Sequence, residues 1–199
     1  GTLLKHKANN DKIHWLICTT TNKNKNYYQN REKEINKVSK FFNFDSVQNL
    51  RFETTKMDQY KMIEIIEKIS KVINKVKPNI IYLPFKEDVH TDHKKIFEAS
   101  YSCTKSFRYP FIKKIYMMET LSETEFAPST KKDSFVPNTF VDISKYMDKK
   151  IQIMKVYKSE IGKFPFPRSV RSIKALASFR GSTSGFGFAE SFILLKEKI

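Results

Sequence analysis

The sequence predicts an α/β fold with a mostly parallel central sheet flanked by helices. Residues 12–21 and 80–85 are apolar, β-rich runs of strand length. Between them, residues 59–76 carry apolar side chains at helical spacing. Alternation of such strands and helices produces parallel pairing. The apolar fraction of 40 % over 199 residues suffices for a buried core, and no internal repeat is evident, so we expect residues 1–199 to form a single domain.

The first half of the chain divides according to its hydrophobic period. Apolar side chains at helical spacing predict helices, and continuous apolar runs predict strands. Pro78 ends the clearest helix, because proline disfavours the α conformation at the preceding Lys77. In order, we predict a helix at 1–11, a strand at 12–21, a polar loop at 21–30, helices at 31–42 and 59–76, a strand at 80–85 and a helix containing Ile96, Ala99 and Cys103.

The second half of the chain alternates in the same way, with longer irregular segments. Prolines and glycines mark those segments. Ser144 has the hydroxyl that suits a helix N-cap. In order, we predict a strand at 112–119, a loop at 122–135, a helix at 142–160 capped by Ser144, an irregular segment at 161–169, a helix at 169–179, a glycine-rich loop at 180–190 and a last strand at 191–196.

The chain is strongly basic, with 37 Lys and Arg against 21 Asp and Glu, a net charge of +16. Such an excess fits nucleic acid, a membrane surface or a phosphorylated substrate, and equally a lysine-rich solvated surface. The lysines are spread along the whole chain without a nucleic-acid-binding motif, so we predict no nucleic-acid partner. No run of about 18 apolar residues predicts a membrane span. Cys18 and Cys103 lie in apolar segments, which indicates reduced core thiols in a cytoplasmic protein rather than a disulfide.

The stretch LPFKEDVHTDHKK, residues 83–95, holds two of the four histidines directly after a predicted strand. In parallel α/β sheets, ligands bind outside the carboxyl ends of strands. The pattern His-x-Asp-His offers an imidazole for a metal, a second imidazole for proton transfer and a carboxylate that fixes a tautomer. Alternatively, Asp88 or Thr91 caps the following helix and both imidazoles are solvated. The pattern alone leaves both interpretations open.

Residues 84–93, PFKEDVHTDH, resemble the P-x-x-x-D-x-H-x-D-H segment of the LmbE/PIG-L family of zinc-dependent N-deacetylases, which remove acetyl groups from N-acetylglucosaminyl compounds. Further matches follow in the family's order and cover nearly the whole chain. Arg31 and Glu34 fit an R-x-x-E helix, Asp58 fits a short aspartate turn, residues 135–160 fit F-x-P…D-I…K-K…S-Q with Glu160 in place of the glutamine, and residues 180–192 fit R-G…A-E-x-F.

The resemblance implies a Rossmann-like three-layer sandwich and a zinc-dependent hydrolase acting on the N-acetyl group of an N-acetylglucosamine-type amino sugar or glycoconjugate. It implies His93 as a zinc ligand. It implies His90 as proton donor or oxyanion stabiliser, with Asp92 holding the His90 ring. Arg31, Asp58 and Asp88 would contact substrate; the alternatives are an ion pair with Glu34 for Arg31, the N-cap of helix 59–76 for Asp58, and a helix cap for Asp88.

One segment of the family pattern, A-H-P-D-D-E, does not occur in this sequence. In the family it supplies a histidine and an aspartate to zinc and a second aspartate as general base. Residues 1–4, Gly-Thr-Leu-Leu, resemble the turn that follows it, so we expect the first strand and the first motif to lie upstream of residue 1. His6 lies in the first predicted helix and His14 in a predicted strand, so neither replaces it. Zinc binding would then require the upstream His and Asp.

Two other functions compete with the deacetylase. A non-catalytic relative would bind a sugar or nucleotide-sugar, and its lack of zinc would distinguish it. A basic nucleic-acid-binding protein would show a steep salt dependence of binding. We rank these second and third. The resemblance also implies a homo-oligomer, a trimer or a hexamer.

Overall fold

The computed structural model describes residues 1–21, 24–130 and 132–199 and shows an α/β fold, as predicted. The helices are α1 (Thr2–Ala8), α2 (Lys25–Phe42), α3 (Met62–Val76), α4 (Thr91–Ser102), α5 (Met147–Met154) and α6 (Val170–Ser182). The strands are β1 (His14–Thr20), β2 (Ser46–Glu53), β3 (Ile80–Pro84), β4 (Lys114–Met118), β5 (Thr139–Asp142) and β6 (Ala189–Glu197). Short 3-10 turns span Met57–Gln59 and Ser144–Tyr146.

Strands β1 and β2 form a two-stranded sheet. Just before them, the Asp45 N–H donates to the Ile13 carbonyl at 2.8 Å. Just after them, the Thr54 N–H donates to the Thr20 carbonyl at 3.0 Å. The two strands therefore run parallel, with α2 as the crossover between them.

The other four strands form a sheet in the order β3-β4-β6-β5. β3 pairs parallel with β4, from Ile80 opposite Lys114 to Pro84 opposite Met118. β6 runs antiparallel to β4, with Phe192 opposite Met118. The predicted parallel pairing holds for β1 with β2 and for β3 with β4, and β6 makes the larger sheet mixed.

The chain divides into two compact units. The first comprises Gly1–Trp15, Thr21–Val47 and Phe140–Ser191, and the second comprises Leu16–Thr20, Gln48–Thr139 and Phe192–Ile199. Leu4, Val38 and Ile153 form a buried cluster in the first unit. The main cluster of the second unit contains Phe52, Met57, Ile65, Ile69, Ile73, Leu83, Ala99, Cys103, Tyr109, Ile112 and Ile115.

Helix α3 fills the core of the second unit with one face. Ile65, Ile69 and Ile73 recur every fourth residue and are buried, as the hydrophobic period predicted. The helix ends where Pro78 requires it, since Lys77 has a left-handed backbone conformation with φ 51°.

Truncation of this face should destabilise the protein strongly. We expect Ile65→Ala to lower the free energy of unfolding by about 2–5 kcal/mol, because the side chain is fully buried and a cavity would remain. Ile63→Ala, on the same helix but 57 % exposed, should change it by less than about 0.5 kcal/mol. Urea denaturation checks both values, and equal effects would contradict the assigned helix face.

Two helix starts differ from the prediction. α2 begins at Lys25 instead of residue 31, because the Asn24 side chain accepts from the Tyr27 N–H at 2.8 Å and caps the helix. Part of the predicted polar loop at 21–30 is therefore helical, and positions 22 and 23 lie outside the described residues. α3 begins at Met62 instead of residue 59.

The predicted helix at 142–160 is wrong at both ends. Asp142 belongs to β5, and the regular helix spans only Met147–Met154. Ser144 does not cap it; the Ser144 hydroxyl donates to the Asp142 carboxylate at 2.6 Å and accepts from the Phe188 N–H at 3.0 Å. These hydrogen bonds instead stabilise the backbone just after the end of β5.

Two further elements were missed or cut short. β2 was not predicted, because Gln48, Asn49 and Arg51 interrupt its apolar pattern. α6 was predicted to end at residue 179 and continues to Ser182. In the described part of segment 122–135 the structure has only turns and irregular backbone, as predicted.

Both cysteines are free thiols, as predicted. Cys103 is fully buried in the core of the second unit. Cys18 is half-buried, and burial raises the pKa of its thiol to about 12. None of the helices in the described residues is long and apolar enough to cross a bilayer.

In the first unit, Glu190 anchors the start of α1. Its carboxylate accepts from the Thr2 N–H at 2.7 Å and from Lys150 Nζ at 2.8 Å. Burial by itself would raise the pKa of Glu190, but the positive charge of Lys150 and the hydrogen bonds from Lys150 and Thr2 hold the pKa well below its usual value.

Stability should therefore depend on pH through Glu190. A carboxyl whose pKa is lower in the folded than in the unfolded state stabilises above about pH 4.5 and loses this contribution as pH falls. We expect Glu190→Gln to lower the free energy of unfolding at pH 7 by roughly 2 kcal/mol, and the difference to vanish at low pH. Urea melts over a pH series measure it. The exposed Glu67→Gln is the matched control, and a pH-independent difference would contradict the assignment.

Candidate active site

The candidate site lies in the second unit, in the connection between β3 and α4. β3 ends at Pro84, Phe85 is buried, and α4 starts at Thr91. The Asp88 N–H donates to the Phe85 carbonyl at 3.1 Å, and the Val89 N–H donates to the Glu123 carbonyl at 3.2 Å. The predicted motif is therefore held rigidly at the carboxyl end of a parallel strand, where α/β sheets bind ligands.

His93 is oriented by a buried carboxylate. Its Nδ1 lies 2.8 Å from Asp88 Oδ2, and Asp88 Oδ1 accepts from the Thr124 hydroxyl at 2.6 Å. A carboxylate only accepts, so Nδ1 of His93 carries the hydrogen and the neutral ring keeps its lone pair on Nε2. This carboxylate–histidine arrangement is the one that metal-ligating histidines adopt in proteins.

His90 has the opposite tautomer. It is the N-cap residue of α4, and its Nδ1 accepts from the Asp92 N–H at 3.2 Å. Because Nδ1 accepts, the hydrogen of the neutral ring is on Nε2. The two rings stack with centroids 5.2 Å apart and planes at 21°. Adjacent imidazoles thus offer a lone pair on one Nε2 and a proton on the other.

We predict from the resemblance that the Asp92 carboxylate holds the His90 ring, and this prediction is wrong. The Asp92 carboxylate accepts from the Thr55 N–H at 2.8 Å and the Met57 N–H at 3.4 Å, and only the Asp92 backbone N–H contacts His90. The side chain is buried, and these two backbone N–H groups supply the hydrogen bonds that a buried carboxylate needs. Asp92 thereby ties the turn Met57–Gln59, which carries Asp58, to the start of α4.

The acidic residues predicted to contact substrate are placed differently from each other. Asp58 is exposed in its turn and does not cap α3, which starts at Met62. Asp88 is fully buried and bound by His93 and Thr124, so it lies behind the imidazole rather than at the mouth of a pocket. Asp88 does not cap α4 either, since His90 does. The structure gives Asp88 a positioning role in place of the predicted substrate contact.

Arg31, the third predicted substrate residue, lies in the first unit. It forms ion pairs with Glu160 and, at 3.3 Å, with Glu34, and donates to the Tyr27 hydroxyl at 3.1 Å. Burial by itself would lower the pKa of Arg31, but the hydrogen bond to Tyr27 and the negative charge of Glu160 outweigh it and raise the pKa above its usual value. The ion pair with Glu34, our alternative interpretation, is present. Arg31 also lines a cleft of about 620 Å³ between α2 and residues 152–159.

A protein-family model described as GlcNAc-PI de-N-acetylase, PIG-L, matches residues 1–104. The chain belongs to the PIG-L family. The matched half contains every residue that we assigned to the site, namely Arg31, Asp58, Asp88, His90, Asp92 and His93.

Solved structures share the PIG-L fold of this chain over its whole length. A conserved protein of Thermus thermophilus is 21 % identical with a TM-score of 0.78, covering 100 % of this chain and 88 % of its own. N,N'-diacetylchitobiose deacetylase of Pyrococcus horikoshii is 17 % identical with a TM-score of 0.76, covering 98 % and 77 %. A 4-carboxy-2-hydroxymuconate hydratase of Pseudomonas putida is 12 % identical with a TM-score of 0.77, covering 100 % and 90 %. Since a hydratase shares it, the fold alone does not determine the reaction.

The zinc ion that the PIG-L resemblance implies needs several donors. His93 fits as one of them, because its Nε2 has no partner among the described residues and a carboxylate fixes its ring. In the part of the chain that the structure describes, no three His, Cys, Asp or Glu side chains are grouped to hold a metal. His6 pairs with Asp11 at 2.6 Å and His14 contacts Ser46 at 2.8 Å, so both are engaged elsewhere.

Thr124 is a site residue of this PIG-L chain that sequence reasoning missed. It lies in the predicted loop at 122–135, is buried, and accepts from the Thr120 N–H at 2.8 Å while donating to Asp88. Its contact with Asp88 spans 36 positions of sequence, and no local pattern distinguishes it from other loop threonines.

Proposed function

We propose that this PIG-L chain is a zinc-dependent hydrolase that removes the N-acetyl group from an N-acetylglucosamine-type amino sugar or glycoconjugate. The observation that supports the proposal most is the pair of adjacent imidazoles in opposite tautomers, His93 with a free lone pair and His90 with a free N–H. The family description and the chitobiose deacetylase share a sugar with an acetamido group as substrate. We propose such a group as the substrate here.

The residues of this chain would divide the work of amide hydrolysis. Bound zinc would polarise the acetyl carbonyl and lower the pKa of a water molecule. His93 would hold the metal through Nε2, with Asp88 fixing the ring. His90 would stabilise the oxyanion through a hydrogen bond from its Nε2–H, and the proton that the general base removes from the water would pass to the departing nitrogen as the C–N bond breaks, leaving acetate and a free amine. Asp58 would contact the sugar or its substituent, and substrate contact by Arg31 stays a prediction from the family resemblance.

The remaining parts of the site are also proposals. We propose that the other zinc ligands and the general base come from an A-H-P-D-D-E segment outside residues 1–199. The free thiols support action in the reducing cytoplasm. We also propose that the protein forms a homo-oligomer, and only the family resemblance supports this.

Metal analysis and acetate release test the proposal together. We expect the full-length protein to contain about one zinc per chain and to release acetate from N,N'-diacetylchitobiose or an N-acetylglucosaminyl lipid, with activity lost on chelation and restored by zinc. A protein without zinc that binds a nucleotide-sugar unchanged would instead support the non-catalytic alternative.

A further inference from the structure

Residues 161–189 combine basic and aromatic side chains with a complete lack of acidic ones. The segment contains Lys163, Arg168, Arg171, Lys174 and Arg180 and five phenylalanines, but no Asp or Glu. The whole chain carries 21 acidic residues in 199, so an acid-free stretch of this length is a local concentration of charge rather than the general excess. The segment lies entirely within the first unit and includes α6.

Four of these phenylalanines are unusually exposed. Phe164 is 55 % exposed, Phe166 39 %, Phe179 57 % and Phe186 40 %. Phe164 and Phe166 precede α6, Phe179 lies in its last turns, and the Phe186 N–H bonds to the Gly181 carbonyl at 2.9 Å, which holds Phe186 at the end of the helix. The exposed rings thus flank a helix about 20 Å long at both ends.

Basic side chains lie between and over these rings. Arg171 and Lys174 are exposed one turn apart on α6, and in the described part of the chain no carboxylate pairs with either of them. The Arg171 guanidinium lies 4.2 Å from the Phe164 ring centroid, and that of Arg180 5.3 Å from the Phe179 ring centroid. We call Phe164, Phe166, Arg171, Lys174, Phe179 and Phe186 the α6 patch.

We propose that the α6 patch binds the surface of an anionic lipid bilayer. Phenylalanine rings that insert below the headgroups and cations that remain among lipid phosphates are the combination that interfacial helices use. No residue of the segment itself carries a negative charge that the surface would repel, and Glu160, which adjoins it, is paired with Arg168 at 2.9 Å. Nucleic acid fits less well, because a guanidinium already covers one face of Phe164 that a base would stack on.

Vesicle sedimentation tests this proposal without substrate or zinc, so that its outcome is independent of the proposed function. We expect the full-length protein to sediment with vesicles of equimolar phosphatidylcholine and phosphatidylglycerol, and not with phosphatidylcholine alone. Since each basic residue contributes roughly fivefold at an anionic surface, Arg171→Gln with Lys174→Gln should weaken partitioning about 25-fold. Phe164→Ser with Phe179→Ser should abolish it.

The matched control is Phe107→Ser. Phe107 is 77 % exposed and has Arg108 over its ring at 5.5 Å, but it lies in the second unit, outside the patch. This variant should bind anionic vesicles like the parent protein. In addition, Phe179→Trp should report insertion by a blue shift of its emission only with anionic vesicles.

Several results would overturn the proposal. These are absent binding, equal binding to neutral vesicles, or equal loss in Phe107→Ser. If the protein binds single-stranded RNA but no vesicles, and the patch variants abolish the RNA binding, the patch belongs to nucleic acid recognition. If the protein self-associates but binds no vesicles, and Phe164→Ser with Phe179→Ser abolishes the self-association, the α6 patch binds a second copy of the chain.

Discussion

His93→Ala should abolish zinc binding and deacetylase activity together, whereas His90→Ala should keep the metal and lower kcat by about 10²–10³-fold, the loss expected for one oxyanion donor. The two effects separate because the rings have opposite tautomers. His93 donates through Nδ1 to Asp88 and keeps the Nε2 lone pair, which is the group that a metal takes. His90 accepts at Nδ1 and keeps a hydrogen on Nε2, which is the donor that hydrogen bonding to the oxyanion needs.

Zinc content and steady-state rates of the full-length variants measure this division. His6→Ala is the control, because His6 pairs with Asp11 in another part of the chain and should change neither quantity. Equal loss of zinc in the His90 and His93 variants would refute the assignment of roles. Retained zinc in His93→Ala would remove His93 from the metal site.

Asp88→Asn should weaken zinc binding by about 10–100-fold and also lower the free energy of unfolding by roughly 2–3 kcal/mol. The buried carboxylate accepts from both His93 and Thr124. An amide offers a single oxygen, so one of these donors loses its acceptor and His93 loses the partner that fixes its tautomer.

Thr124→Val separates the two effects of the Asp88 change. It removes one donor to the carboxylate and leaves the His93 contact in place, so it should cost about 1–2 kcal/mol of stability and little zinc affinity. Urea denaturation and competitive zinc titration give the two numbers. A large loss of affinity in Thr124→Val with none in Asp88→Asn would contradict the positioning role of Asp88.

Sequence reasoning succeeded where the determinants are local. β3, predicted at 80–85 and observed at Ile80–Pro84, and the helix after it follow from a short apolar run and a periodic pattern within about 25 residues. His90 and His93 could be recognised as a pair because they are three positions apart and meet on the first turn of α4. The family resemblance rested on the same local segments.

Contacts between distant segments could not be predicted. The Asp92 carboxylate binds Thr55 and Met57, more than 30 positions away, and Asp88 binds Thr124 at a similar separation. For this reason the family resemblance led us to expect Asp92 to hold the ring of His90, whereas in the structure Asp88 holds the ring of His93. The start of α2 was predicted wrongly for another reason. Several asparagines in segment 21–30 are equally suitable N-caps, and only the structure shows that Asn24 is the one used.

Long-range proton–nitrogen correlation spectra of the imidazole rings test the central claim most directly. At a pH where both rings are neutral, we expect His93 to be protonated on Nδ1 and His90 on Nε2, and only the His93 pattern to change in Asp88→Asn. The same tautomer for both rings, or a His93 ring indifferent to Asp88→Asn, would contradict the account.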